Sequence, residues 1–323
     1  MSQIPQIKLN NGVSMPGLAL GTCPDPPEFT PEGLKNTKNW FLTALKAGYR
    51  HFDTAQFYLT ETTVGQAIRE SGIPREEIFV TSKIAPHRTS LNPGYVERGF
   101  QKTLDDLGLD YVDLYLIHMP LTTQYPGDPP PFEFPANPMV MFTGYKTLEE
   151  ANFEGTWAEF EKIYESGKAK AIGVCNFSPK TLGALSKTWK VVPAVNQIEI
   201  SPYCVQKDFV EDCQKKGIAI MAYSPTGKGK VREDPKIVSV AEKYKVSTTQ
   251  IILSWHVARG ITPVPKSTNA ERQKQNLQIV KLSDEDVQAI SALDKNERLV
   301  NKAGPDGKLY GWTYEQFGWD QPY

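Results

Sequence analysis

Tyr49-Arg50-His51-Phe52-Asp53-Thr54-Ala55, with Tyr58 three residues further on, is a strand-like segment that runs into a carboxylate and then a tyrosine. Two later segments repeat the design. Ile78-Phe79-Val80-Thr81-Ser82-Lys83 ends on an ammonium, and Val112-Asp113-Leu114-Tyr115-Leu116-Ile117-His118 ends on an imidazole. Short apolar runs of this kind read as buried strands. In a parallel βα barrel, an ionisable residue at the carboxyl end of a strand lies on the face where active sites form. If these strands are parallel neighbours, Asp53, Tyr58, Lys83 and His118 converge. A buried structural salt bridge is the competing reading of Asp53 and Lys83.

Outward from these segments the same alternation continues from about Gly17 to Val280, with strand candidates at 17–22, 49–55, 78–84, 112–118, 169–175, 193–199, 218–224 and 261–266. Helices between them carry start signals. A cap residue precedes proline in Thr30-Pro31, Asn92-Pro93, Ser178-Pro179 and Asp234-Pro235, and Ser247-x-x-Gln250 is a capping box. An amino-terminal hairpin is expected to turn at Asn10-Asn11-Gly12. Eight such units predict a single (β/α)8 TIM barrel domain over 1–323, with a doubly wound open sheet as the alternative. Two stretches break the repeat: Pro120 to Glu150, and the tail from Leu299 to Tyr323 with Trp312, Phe317 and Trp319. Both are candidate substrate loops; a surface insertion is the other reading of the first.

Composition narrows the partners. With 40% hydrophobic and 23% charged residues the chain can bury a large core. The 36 basic and 37 acidic residues leave a net charge of -1, with no basic cluster suited to nucleic acid. No run of about 18 apolar residues and no signal-like amino terminus occurs, so no membrane partner and a cytoplasmic location are expected. Cys23, Cys175, Cys204 and Cys213 are scattered without a Cys-x-x-Cys pair, which indicates neither a zinc site nor a disulfide framework. A small molecule is the expected partner.

The chain also lacks Gly-x-Gly-x-x-Gly, a P-loop, Gly-x-Ser-x-Gly and His-Glu-x-x-His. The chemistry therefore rests on Tyr, Lys, His and Asp. A phenol has an ordinary pKa near 10, so an adjacent ammonium such as Lys83 is expected to lower it. Asp53 would hold Lys83 in place, and His118 could donate to a substrate oxygen. Such a group can protonate and orient a carbonyl, and reducing that carbonyl calls for a hydride carrier such as a nicotinamide.

Gly48-Tyr49-Arg50-His51-Phe52-Asp53-Thr54-Ala55-x-x-Tyr58, Leu116-Ile117-His118-x-Pro120 and Pro265-Lys266-Ser267 together resemble the signature segments of the aldo-keto reductases, and the similarity extends from about Pro5 to Asp294. The resemblance implies a (β/α)8 barrel in which Tyr58 donates the proton, Lys83 and Asp53 tune it, and His118 orients the carbonyl. It implies NADP(H) as coenzyme and a monomer. Tyr223 would lie against the nicotinamide, with the positions of Cys175, Asn176 and Gln197 at its carboxamide. Ser224, Pro225, Thr226 and Gly227 would line the pyrophosphate, with Gly21, Thr22 and Asp53 also on the coenzyme path. Lys266, Ser267, Thr268 and Arg272 would grip an adenosine 2'-phosphate, with Gln275 and Asn276 near the adenine. Cys23, Tyr58, His118, Met119 and Trp312 would contact the carbonyl substrate.

Several positions depart from the family pattern. Thr60 replaces an asparagine, Cys175 a serine, Gln275 a glutamate and Met119 an aromatic residue. Ile84-Ala85-Pro86-His87 lacks a common tryptophan, and Cys23 stands where many relatives carry an aromatic ring. A wider, less aromatic pocket is expected, with some loss of coenzyme affinity from the weaker cysteine hydrogen bond. The segment Pro225 to Glu233 is short, so rapid coenzyme release is expected. The leading function is NADPH-dependent reduction of an aldehyde or ketone. The alternatives are an NADP-dependent polyol or sugar-alcohol dehydrogenase working oxidatively, a non-catalytic coenzyme sensor, and a coenzyme-independent lyase or isomerase.

Overall fold

The computed structural model describes residues 4–25, 29–86, 89, 94–124, 146–147 and 152–319. Asn92-Pro93, His87, most of 120–150 and the last residues of the tail lie outside them. The chain opens with a hairpin of β1 (Gln6–Lys8) and β2 (Ser14–Pro16), turning at Gly12 with φ 88°. Eight parallel strands follow: β3 (Leu20–Gly21), β4 (His51–Asp53), β5 (Phe79–Ile84), β6 (Leu114–Ile117), β9 (Ile172–Cys175), β10 (Val195–Glu199), β11 (Ala219–Tyr223) and β12 (Ile261–Val264). A short pair, β7 (Thr123–Gln124) and β8 (Lys146–Thr147), lies between β6 and β9.

Each barrel strand pairs with its neighbours in chain order. The ring closes where the Ala19 N–H donates to Pro263 O and the Gly21 N–H to Pro265 O, both at 3.0 Å. Closure rules out the open sheet. All eight predicted strands are present, each trimmed at one or both ends.

Helices connect the strands: α1 (Pro31–Ala47), α2 (Glu61–Ser71), α3 (Tyr95–Leu107), α4 (Phe153–Glu165), α5 (Pro179–Leu185), α6 (Lys207–Lys215), α7 (Lys228–Arg232), α8 (Pro235–Tyr244), α9 (Thr248–Ala258), α10 (Ala270–Asn276) and α11 (Asp284–Ser291). The described caps act as expected: Thr30, Ser178, Asp234 and Ser247 each accept a first-turn N–H.

The strand period of two divides the core. Along β6, Tyr115 and Ile117 face the helices, while Leu114 and Leu116 belong to a separate inner cluster with Ala19, Val195, Met221 and Val264. The hairpin adds Leu9 and Met15 to that cluster, so it plugs the amino-terminal end. Gly173 of β9 shows how tightly the interior is filled: a Cβ there would lie 2.5 Å from Val195 O and 2.8 Å from Leu116 Cδ2. The interior is solid, and only the carboxyl face is left for chemistry. A third cluster covers part of that face. Met119 and Leu121 share it with Leu309, Trp312, Tyr314, Phe317 and Trp319, the last group carried by β13 (Lys308–Leu309), β14 (Trp312–Thr313) and α12 (Tyr314–Phe317).

Candidate active site

Parallel pairing puts the ends of β4, β5 and β6 side by side, so the three sequence segments deliver their ionisable groups to one place. Lys83, the fifth residue of β5, has a side chain with no exposure at all. Burying an ammonium is tolerated when it is paired and fully hydrogen-bonded, and here Nζ donates to Asp53 Oδ1 at 2.6 Å and to Thr54 O at 3.0 Å. It also reaches Tyr58 Oη at 3.5 Å. The second oxygen of Asp53 accepts from Gln197 Nε2 at 2.7 Å, which ties the pair to β10. The His118 ring stands edge-on to Tyr58, with 5.6 Å between centroids and an interplanar angle of 84°. All four expected residues therefore meet.

Tyr58 sits in a 3-10 turn, Gln56–Tyr58, beyond β4. Gln56, which sequence reasoning passed over, fixes that turn. Its Nε2 donates to Gly99 O at 2.5 Å and Thr103 Oγ1 at 2.9 Å, and its Oε1 accepts from the Ala85 N–H at 2.9 Å. Thr60, in place of an asparagine, is fully buried, with its hydroxyl 3.2 Å from those of both Thr22 and Thr54.

Electrostatics revise one expectation. Burial first, and then the Asp53 carboxylate, pushes the Tyr58 phenol well above its ordinary value. The expected depression by Lys83 is not found, because burial of the phenol outweighs it. Burial, with Lys83 second, holds the His118 imidazole well below its usual range. At neutral pH this gives a protonated phenol and an uncharged imidazole, a pair suited to giving hydrogen bonds to an oxygen.

Beside this group lies a wall built from the ends of β9 to β11. Asn176 and Ser224 both adopt left-handed backbone, at φ 66° and 49°, and Gly227 follows at 58°. Non-glycine residues held there carry strain and gather at functional sites. Asn176 Nδ2 donates to His118 O at 2.9 Å and lies 3.0 Å from Met119 Sδ. The Tyr223 hydroxyl donates to Asn176 Oδ1 at 2.7 Å. The Cys175 thiol, raised to about 12 by burial, makes a long contact of 3.9 Å to Gln197 Oε1. His256 Nε2 lies 3.1 Å from Pro225 O, so a buried ring backs the turn that follows β11. Arg232 Nη1 is 3.5 Å from Thr226 Oγ1.

Across the barrel seam, Lys266 Nζ pairs with Asp25 Oδ2 at 2.5 Å. Ser267 is buried; Thr268 and Arg272 are exposed at the start of α10, where Asn269 Oδ1 accepts the Arg272 N–H at 2.9 Å. Gln275 is half-buried and Asn276 buried on the same helix, while Gly21 and Thr22 are buried across the seam. Two cations with hydroxyls match the donor set a phosphate dianion needs. Cys23 is exposed at the mouth, whereas Met119 and Trp312 are only 6% and 4% exposed. Trp312 packs within the tail cluster, its ring centroid 5.3 Å from that of Phe317. Residues missed by sequence reasoning are Glu199, which accepts N–H groups from Leu299 and Val300, and Asn301, whose amide reaches Tyr223.

Among the described residues no His, Cys, Asp or Glu cluster is placed to hold a metal, and no helix is long and apolar enough to cross a membrane. The sequence profile of the aldo/keto reductase family matches residues 34–295. The chain belongs to the aldo-keto reductase family. Among its relatives in that family, an aldehyde reductase of Saccharomyces cerevisiae is 40% identical over 295 residues, covering 90% of each chain. The glycerol 2-dehydrogenase (NADP(+)) of the same yeast is 38% identical over 301 residues, covering 90% of this chain and 91% of its own. Among solved aldo-keto reductases, one from Bombyx mori in complex with NADP has a TM-score of 0.78 at 35% identity, covering 93% of this chain and 96% of that one. A second silkworm aldo-keto reductase, complexed with NADPH, reaches 0.81 at 31% identity, covering 93% and 90%.

Proposed function

We propose that this aldo-keto reductase reduces an aldehyde or ketone to an alcohol with NADPH. The observation that carries the reading is the buried Asp53–Lys83 pair at 2.6 Å with Tyr58 within 3.5 Å and His118 beside it. Bound coenzyme supplies the hydride to the carbonyl carbon. The residues of the chain handle the oxygen. Tyr58, kept protonated by burial, donates first a hydrogen bond and then its proton, and Lys83 stabilises the phenolate left behind. His118, kept neutral, orients the carbonyl from the other side, and Asp53 keeps Lys83 aimed at the phenol.

Tyr223, Asn176, Gln197 and Cys175 are the proposed nicotinamide wall, Ser224 to Gly227 the proposed pyrophosphate turn, and Lys266, Ser267, Thr268 and Arg272 the proposed 2'-phosphate grip. Gly21, Thr22, Gln275 and Asn276 complete the proposed coenzyme path, and Cys23, Met119 and Trp312 the substrate side. The same machinery can run oxidatively, as the name of the yeast glycerol dehydrogenase illustrates. The reductive reading is favoured by the relative named a reductase and by the phenol held in its protonated form. The test is loss of NADPH absorbance against a panel of aldehydes and ketones, with NADH run beside it. Turnover that prefers NADPH supports the reading, and tight NADPH binding with no turnover on any carbonyl contradicts it.

A further inference from the structure

The carboxyl-terminal segment meets the barrel at one buried carboxylate. Glu199, the last residue of β10 and 1% exposed, accepts N–H groups from Leu299 at 2.5 Å, Val300 at 3.1 Å and Asn301 at 3.5 Å. Asn301 is pinned from its other end as well, since its carbonyl accepts from Tyr314 Oη at 2.6 Å, and that oxygen accepts from the Ala303 N–H at 3.1 Å. With its backbone fixed on both sides, the 7% exposed Asn301 turns its amide to Tyr223, and Nδ2 donates to the phenol oxygen at 2.5 Å. The Tyr223 hydroxyl donates to Asn176 Oδ1 at 2.7 Å, and Asn176 Nδ2 donates to His118 O at 2.9 Å. One chain of donors thus runs from the tail through Tyr223 to the strand end that carries His118.

The phenol has a single proton, and Asn176 takes it. Its oxygen lone pairs therefore need a donor from elsewhere, which Asn301 provides. Two hydrogen bonds with opposite roles, from a tail residue and from a strand-end residue, hold the ring where either alone would let it turn. We propose that Asn301 is a positioning residue of the coenzyme site, which sets the face of Tyr223 and so links docking of the tail to coenzyme binding. This rests on the reading that Tyr223 lies against the nicotinamide. The linkage works in both directions: coenzyme that needs Tyr223 in this orientation also favours the docked tail.

The experiment is a double-mutant cycle read by NADPH fluorescence titration, on the full chain with Asn301→Ala, Tyr223→Phe and both together. Thermal melts accompany each titration to establish folding. Loss of one neutral hydrogen bond is expected to raise the NADPH Kd about fivefold in Asn301→Ala. In the Tyr223→Phe background, where no hydroxyl remains to be held, Asn301→Ala should change Kd by less than about twofold. Asn301→Asp, similar in size but without the amide donor, should match Asn301→Ala. An Asn301→Ala effect of equal size in both backgrounds, or an unchanged Kd in Asn301→Ala and Asn301→Asp, overturns the proposal. Tyr223→Ala separates the two layers: if it weakens NADPH binding while the cycle shows no coupling, only the role of Asn301 fails. If Tyr223→Ala leaves Kd unchanged, the nicotinamide-wall reading fails with it.

Discussion

Replacing Asp53 with asparagine should destabilise the fold far more than a surface ion pair could, and a second substitution should largely undo the damage. Lys83 has no exposed side-chain surface, and its contacts are Asp53 at 2.6 Å, the Thr54 carbonyl and the Tyr58 hydroxyl. In Asp53→Asn the ammonium keeps only neutral partners. Leaving a buried charge without its counter-ion costs about 3–5 kcal/mol. For a chain of 323 residues, a loss of about 4 kcal/mol lowers the melting temperature by about 6 °C. Asp53→Asn with Lys83→Met removes the charge itself and should recover most of that loss, because a well-packed apolar replacement of a buried pair is close to neutral. Urea or thermal unfolding of the two variants at pH 7 gives the answer. A single variant within about 1 kcal/mol of wild type, or a double variant no more stable than the single one, refutes the account of how Lys83 is held.

Lys266→Ala combined with Arg272→Ala should raise the Kd for NADPH about thirtyfold and leave that for NADH within about threefold, read by fluorescence titration; equal losses for both coenzymes would remove these residues from the 2'-phosphate grip. Acid stability follows from the buried imidazoles: His51 and His256 are each held down to about 3 by burial. Their contribution is fully present above the unfolded value near 6.5 and is lost as pH falls toward 3, so moving from pH 7 to pH 5 should cost about 2 kcal/mol for each. A denaturation midpoint unchanged between those pH values would contradict this. The segment from Pro225 to Glu233 holds α7, and its Lys230 is paired with Glu297, just before the tail, at 2.8 Å. Stopped-flow coenzyme binding is therefore expected in a single phase, and a slow isomerisation after binding would show that this short segment closes over the coenzyme after all.

The barrel was legible because each strand is a bounded apolar run and four helix starts, at Thr30, Ser178, Asp234 and Ser247, carry a cap that the structure uses. The four proposed catalytic residues were legible because they end such runs or closely follow one, and parallel pairing converts that sequence position into one place in space. What escaped has a physical reason. Glu199 and Asn301 are 102 positions apart, and nothing in the period of either segment signals that a strand-end carboxylate will take the N–H groups of the irregular stretch 299–301. Gln56 was hidden between the residues that matter, as an ordinary polar side chain whose partners, Gly99 and Thr103, belong to the next-but-one helix, α3. The direction of the Tyr58 shift was misjudged because sequence shows that Lys83 is near but not that the phenol is fully buried, which is the larger influence.

The central claim is that Tyr58 delivers the proton while others hold the coenzyme, and Tyr58→Phe tests it most directly. NADPH affinity and carbonyl turnover should be measured on the same preparation. The account predicts a turnover loss of about a hundredfold or more, with the NADPH Kd unchanged to within about threefold. Turnover retained in Tyr58→Phe would contradict it.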